Sequence, residues 1–188
     1  VGEPLLNYEN VFRTIKYLNY NYQNASFALA TTFPDVRMVQ TLTNDFNEIE
    51  RFKLTISLHA PYDIKRKKLI PVSSSMDSLR FAMNYYKKYS VYKGEFNYVL
   101  LKGFNVSNED FIELLNFLEY DDRVKISTYN EIENGKFSKS SEERYVLLHK
   151  MLDERNIHNS KFESICDKIN VGCGQMDAKK LERIKKNV

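Results

Sequence analysis

The chain has 188 residues, 43% hydrophobic and 28% charged, which is typical of a single globular domain with its own core. No run of roughly eighteen apolar residues occurs, which excludes a membrane span, and two cysteines are too few for a secreted disulfide framework. The net charge is +3, and the five basic and two acidic side chains of residues 177–188 account for all of it, so this segment is expected to be a solvated basic helix or tail.

The first half of the chain alternates between helical and extended patterns. Asn7 is placed to cap a first helix, and Ser26–Thr32 predicts a strand buried on both faces. Val36–Leu42 predicts a short helix. In Leu54–His59 apolar and polar residues alternate with a period of two, and Ala60-Pro61 then ends this strand.

The second half continues the alternation. The predicted elements are a short basic helix or turn at Asp63–Lys68, a helix capped by Ser75, a strand at Glu95–Leu101, a helix with a Ser107/Asp110 capping box, a strand at Arg123–Tyr129, a helix from Ser140 or Ser141 to about residue 155, a short strand near Lys161–Ile165 and a terminal helix at Asp177–Asn187. Helices between strands favour parallel pairing, and four or five strands are too few for a closed eight-stranded barrel. The pattern therefore predicts an α/β fold, either an open parallel sheet or part of a barrel.

Four polar stretches fall at the carboxyl ends of predicted strands or in loops on that side, where α/β proteins bind ligands. They are Gly2-Glu3-Pro4, Ser57-Leu58-His59, Asn130, and Val171-Gly172-Cys173-Gly174-Gln175. Each alone has a simpler reading as a turn former, a solvated strand end or an ordinary loop. Two cysteines and three scattered histidines do not make a zinc site.

In this order and spacing the four stretches resemble the RlmN/Cfr family of radical S-adenosylmethionine (SAM) methyltransferases, which methylate adenine in ribosomal RNA. The matching residues run from Gly2 to Met176, and the most specific are Ser57–Pro61, SLHAP, and Cys173–Gln175, CGQ. The resemblance implies the later part of a six-stranded partial (β/α) barrel with parallel strands, truncated at its N-terminus. Residues 1–176 would form this part of the barrel, including the cysteine loop, and residues 177–188 the basic helix or tail.

The same resemblance implies site residues and cofactors. Gly2 and Glu3 would contact the amino group of SAM, and Ser57, Leu58, His59 and Asn130 would line the rest of its pocket. Cys173 would accept a methyl group from one SAM, and a second SAM, cleaved at a 4Fe–4S cluster, would supply the radical that activates it. The implied substrate is an adenine ring carbon of 23S rRNA, with tRNA as a further candidate, and the implied reductant resembles flavodoxin. The implied location is the cytoplasm.

The chain also departs from the family pattern. The CxxxCxxC cluster motif is absent, so we expect it upstream in a longer parent protein and expect this piece alone to be inactive. Ala30 stands where the family usually has a SAM-contacting Ser, and Glu131 where Pro is common. These departures motivate an alternative, a non-catalytic barrel that binds RNA or a nucleoside. A partial barrel would also leave a strand edge uncovered, which predicts self-association through Ser26–Thr32.

Overall fold

The computed structural model describes residues 2–132 and 135–162. Its α-helices are α1 (Tyr8–Asn21), α2 (Val39–Phe46), α3 (Asp63–Leu69), α4 (Met76–Tyr89), α5 (Asn108–Phe117) and α6 (Glu142–Glu154). Its strands are β1 (Phe27–Thr31), β2 (Phe52–Ser57), β3 (Glu95–Leu100), β4 (Arg123–Thr128) and β5 (His158–Phe162), and single 3-10 turns lie at Pro4–Asn7 and Val36–Met38. No described helix is long and apolar enough to cross a lipid bilayer.

The five strands form one sheet in the order β1-β2-β3-β4-β5, which is also their order along the chain. The pairs β1–β2, β2–β3 and β4–β5 are parallel. Between consecutive strands the chain passes through at least one helix, as parallel pairing requires. The predicted α/β alternation and parallel strands are therefore confirmed.

The contacts divide the chain into two units, Gly2–Asn97 and the residues from Tyr98 onward, so β3 contributes to both. In the first unit the helices bury their apolar stripes, with Leu42, Phe46, Leu79, Met83 and Tyr86 almost fully inaccessible. Phe46 stacks on Phe52 of β2 with ring centroids 4.1 Å apart, which ties α2 to the sheet. In the second unit Phe111, Leu114, Val124, Ile126 and Leu148 form the corresponding core.

The predicted N-cap residues precede their helices, but only some of their side chains make the capping bond: Asn7 precedes α1 without one. The Ser75 hydroxyl accepts the amide of Ser78 at the start of α4. The predicted capping box of α5 is present, with Ser107 accepting the Asp110 amide and Asp110 accepting the Ser107 amide. At α6 the N-cap residue is Ser141, but its side chain makes no capping hydrogen bond.

Some sequence-based expectations are wrong in detail. β1 is not buried on both faces, because Ala28 and Ala30 are exposed while Leu29 and Thr31 are buried. It lies at the end of the sheet order, and one of its faces is uncovered by the described residues. The last described strand begins three residues earlier than expected, at His158. The predicted helix at Asp177–Asn187 lies outside the described residues.

Candidate functional site

The Glu3 carboxylate is held at the carboxyl end of β1. Its Oε1 accepts the Leu5 amide at 3.1 Å and the Thr31 hydroxyl at 2.5 Å. Its Oε2 accepts both the amide of Thr32, at 2.8 Å, and the hydroxyl of Thr32, at 2.7 Å. Glu3 also caps the 3-10 turn that follows it, with Pro4 in the first turn where no amide is needed. Four neutral donors thus fix the direction of one negatively charged side chain.

Glu3 is half-buried, and no cation among the described residues pairs with it. A carboxylate without a counter-ion is a suitable partner for a ligand ammonium group. Beside it, the backbone of Gly2 is exposed, and a Cβ built on Gly2 would meet no described atom within 4 Å. The space next to this backbone is therefore open to a ligand.

The Ser57-Leu58-His59 stretch forms the end of β2 and the turn beyond it. Ser57 is the last residue of the strand and is half-buried. Leu58 is fully buried, and its amide donates to the Asn97 carbonyl of β3 at 3.0 Å, which ties the turn to β3. The amide of half-buried His59 points to the same carbonyl at 3.3 Å. The φ of His59 is 59°, in the left-handed region, so the backbone leaves the extended conformation of β2 at this residue.

The structure brings Glu3 into one hydrogen-bonded network with Ser57 and Leu58 through Thr32 and Arg66, for which the motifs predict no role. Thr32 binds Glu3 by its amide and hydroxyl, and its carbonyl accepts a guanidinium N–H of Arg66. Arg66 also donates to the carbonyls of Ser57 and Leu58. One signal in the sequence was available: Thr31 and Thr32 are paired at the end of β1, and Arg66 is a single arginine among the lysines of α3.

Asn130 lies in the second unit, two residues after the end of β4. Its Oδ1 is buried and has no donor among the described residues, so it can accept from a ligand hydroxyl or amino group. In the same unit a cavity of about 210 Å³ lies between Leu100, Thr128 and the first residues of α6. The carboxyl ends of β3 and β4 line this cavity, as expected for an α/β ligand site.

Cys173, the predicted methyl carrier, lies outside the described residues, as does Cys166. Iron–sulfur clusters are held by cysteine thiolates, and the described residues include none. The described part of the chain therefore does not fit the role of holding a 4Fe–4S cluster.

No family model matches the chain. Curated relatives do match: the probable dual-specificity RNA methyltransferase RlmN of Dictyoglomus thermophilum is 29% identical over 181 residues, 95% of this chain and 52% of the relative. The probable dual-specificity RNA methyltransferase RlmN of Chlorobium phaeobacteroides is 30% identical over 185 residues, 96% of this chain and 51% of the relative. A crystal structure of a radical SAM methyltransferase from Sphaerobacter thermophilus superposes with a TM-score of 0.84 at 27% identity, covering 93% of this chain and 52% of that one.

This chain is similar to the RlmN/Cfr family of radical SAM methyltransferases. It spans about half the length of the curated RlmN relatives that it matches. A domain of pyruvate-formate lyase-activating enzyme from Bacteroides vulgatus shares the fold, with a TM-score of 0.65 at 17% identity. The predicted fold, part of a radical SAM barrel, is confirmed by these neighbours.

Proposed function

We propose that this chain supplies SAM-binding and methyl-carrying residues to a radical SAM methyltransferase that modifies an adenine ring carbon of 23S rRNA, with tRNA as a second candidate substrate. The observation that carries the proposal is Glu3, a carboxylate fixed by four neutral donors and left without a described counter-ion at a strand end. The overall similarity of the chain to RlmN methyltransferases and to a solved radical SAM methyltransferase supports SAM as the ligand.

In this proposal the ligand ammonium group binds Glu3 while the open backbone at Gly2 lets the methionine part approach closely. Ser57 and His59 contact the ligand from the end of β2, and Leu58, whose side chain is fully buried, lies between them in the chain. Asn130 accepts a hydrogen bond from a hydroxyl or amino group of the ligand by its unpartnered Oδ1. We assign each role from the chemistry of the side chain and from its match to the family motifs.

SAM supplies the methyl group and, at a 4Fe–4S cluster held by cysteines that this chain lacks, the radical chemistry. The part that falls to this chain is to bind, to orient and to exclude water. Cys173 is proposed as the residue that carries the methyl group, because an adenine C–H is too weakly nucleophilic for direct attack on SAM. A flavodoxin-like protein is the proposed reductant of the complete enzyme.

The activity test uses the complete coding sequence, expressed and reconstituted anaerobically with iron and sulfide. Mass spectrometry of 23S rRNA and tRNA then measures methyladenine, and Cys173→Ala is expected to abolish it. Methylation that persists in Cys173→Ala, or that never appears in the reconstituted protein, contradicts the proposal.

A binding test separates this enzyme from the non-catalytic alternative suggested by Ala30 and Glu131. Isothermal titration of the chain with SAM is expected to give a Kd that Glu3→Gln weakens by at least about tenfold, since a charge-assisted hydrogen bond contributes roughly 1.5–3 kcal/mol. Glu50→Gln is the matched control because Glu50 is exposed and its carboxylate makes no hydrogen bond among the described residues. Binding of an RNA hairpin without any binding of SAM would favour the alternative.

A further inference from the structure

Arg66 of α3 is fully buried, with 0% of its surface exposed, and it donates to four backbone carbonyls. Its Nη2 donates to Thr32 at 2.8 Å and to Ser57 at 2.9 Å. Its Nε donates to Leu58 at 3.1 Å, and its Nη1 donates to Ser74 at 2.8 Å. A single guanidinium therefore connects the ends of β1 and β2 with the segment that leads into α4.

Three of the carbonyls that accept from Arg66 lie at or just beyond the strand ends, where the ladder no longer supplies backbone donors. β1 ends at Thr31 and β2 ends at Ser57, so the carbonyls of Thr32 and Leu58 follow the last ladder residues. A buried carbonyl without a donor is costly, and a planar guanidinium offers five N–H groups in a fixed fork. Lysine would place one compact ammonium there and could not reach the same set of acceptors.

The charge of Arg66 is retained at neutral pH although the side chain is buried. Burial lowers the pKa of Arg66 to about 10, and the nearby Asp63 carboxylate opposes that shift. Asp63 in turn accepts the amide of Met76 at 2.8 Å, at the first residue of α4. Arg66 and Asp63, both in α3, thus connect the end of β2 to the start of α4.

We propose that Arg66 is a positioning residue for the SAM-contacting groups on both strand ends, an inference that rests on the proposed function. On one side Arg66 holds the Thr32 carbonyl, and the amide and hydroxyl of Thr32 hold the Glu3 carboxylate. On the other side Arg66 holds the carbonyls of Ser57 and Leu58, the two residues directly before His59. Both candidate ligand-binding side chains, Glu3 and His59, therefore depend on one fully buried cation whose N–H groups bind backbone carbonyls.

The test compares Arg66→Met, Arg66→Lys and the control Leu79→Ala in the full chain. Leu79 is fully buried in α4 of the same unit, so its truncation destabilises the fold without touching the four carbonyls. Two quantities are measured under native conditions: amide hydrogen exchange at Thr32 and His59 by NMR, and SAM affinity by isothermal titration.

Arg66→Met is expected to speed exchange at Thr32 and His59 and to weaken SAM binding, each at least about tenfold, because the binding-competent arrangement becomes a minor population. Arg66→Lys is expected to lie between wild type and Arg66→Met, and it decides the question alone if Arg66→Met does not fold. Leu79→Ala is expected to lower the urea midpoint while leaving the affinity of the folded protein unchanged.

The inference is overturned if an Arg66 variant lowers stability as Leu79→Ala does but keeps wild-type exchange at Thr32 and wild-type SAM affinity. If the wild-type chain does not bind SAM at all, the proposed ligand is wrong, and the exchange data still decide whether Arg66 positions the strand ends. The two failures are therefore distinguishable.

Discussion

Replacing Thr31 by Val tests the hydrogen bonds that hold Glu3, because Val keeps the shape of the side chain and suits a strand. The Thr31 hydroxyl donates to Glu3 Oε1 at 2.5 Å and accepts the Phe33 amide at 2.8 Å. Thr31 is 1% exposed and Phe33 0%, so water cannot replace the lost hydroxyl. Phe33 also has a φ of 55°, an unfavourable conformation that the bond to Thr31 helps to hold.

The magnitude follows from the two bonds. A hydrogen bond to a charged group contributes roughly 1.5–3 kcal/mol, and a buried amide left unpaired costs roughly 1–3 kcal/mol. Allowing for relaxation, Thr31→Val should lower the free energy of unfolding by about 3 kcal/mol. Urea denaturation followed by far-UV circular dichroism measures this change as a shift in midpoint at constant slope.

Thr14→Val is the matched control, because the Thr14 hydroxyl is exposed and only bonds back to the Asn10 carbonyl of the same helix. We expect that variant to stay within about 0.5 kcal/mol of wild type. A loss below about 1 kcal/mol for Thr31→Val, comparable to the control, would refute the arrangement of Glu3 described above.

Three further predictions concern the helices, the core and the sheet edge. Ser107→Ala should cost about 1 kcal/mol of stability by thermal or urea unfolding, whereas Ser141→Ala should cost far less, because the Ser107 side chain makes a capping bond and the Ser141 side chain does not. Burial raises the pKa of Tyr86 to about 12, so Tyr86 stabilises the fold below pH 10 and this contribution is lost as the pH rises toward 12. Between pH 9 and pH 11 the free energy of unfolding of wild type should therefore fall by about 1.4 kcal/mol relative to that of Tyr86→Phe, and a constant difference would contradict this. Ala28 and Ala30 are exposed on β1, which lies at the end of the sheet order, so the chain should self-associate. Light scattering should give a lower particle mass for the double variant Ala28→Lys/Ala30→Lys than for wild type, and a monomeric wild type would contradict pairing at this edge.

The sequence by itself determined the elements and their order. Alternation, short apolar runs and β-forming residues located the described strands to within a few residues, and Ser75 and Ser107 marked the starts of α4 and α5. These signals are local, since a cap or an alternating strand depends on residues within one or two turns of each other. The family motifs likewise pointed to Glu3 and to the turn after β2.

The tertiary structure alone decided how those motifs are held. Glu3 meets Thr31 and Thr32 across 28 and 29 residues, and Arg66 meets Thr32 across 34. No periodicity encodes such contacts, because they arise only once parallel strands and their crossover helices bring the strand ends to one edge. Tertiary structure also decided two features of the strands. Packing left Ala28 and Ala30 exposed on one face of β1, and the end of the β2 ladder is where His59 adopts its left-handed conformation; residue preference predicts neither.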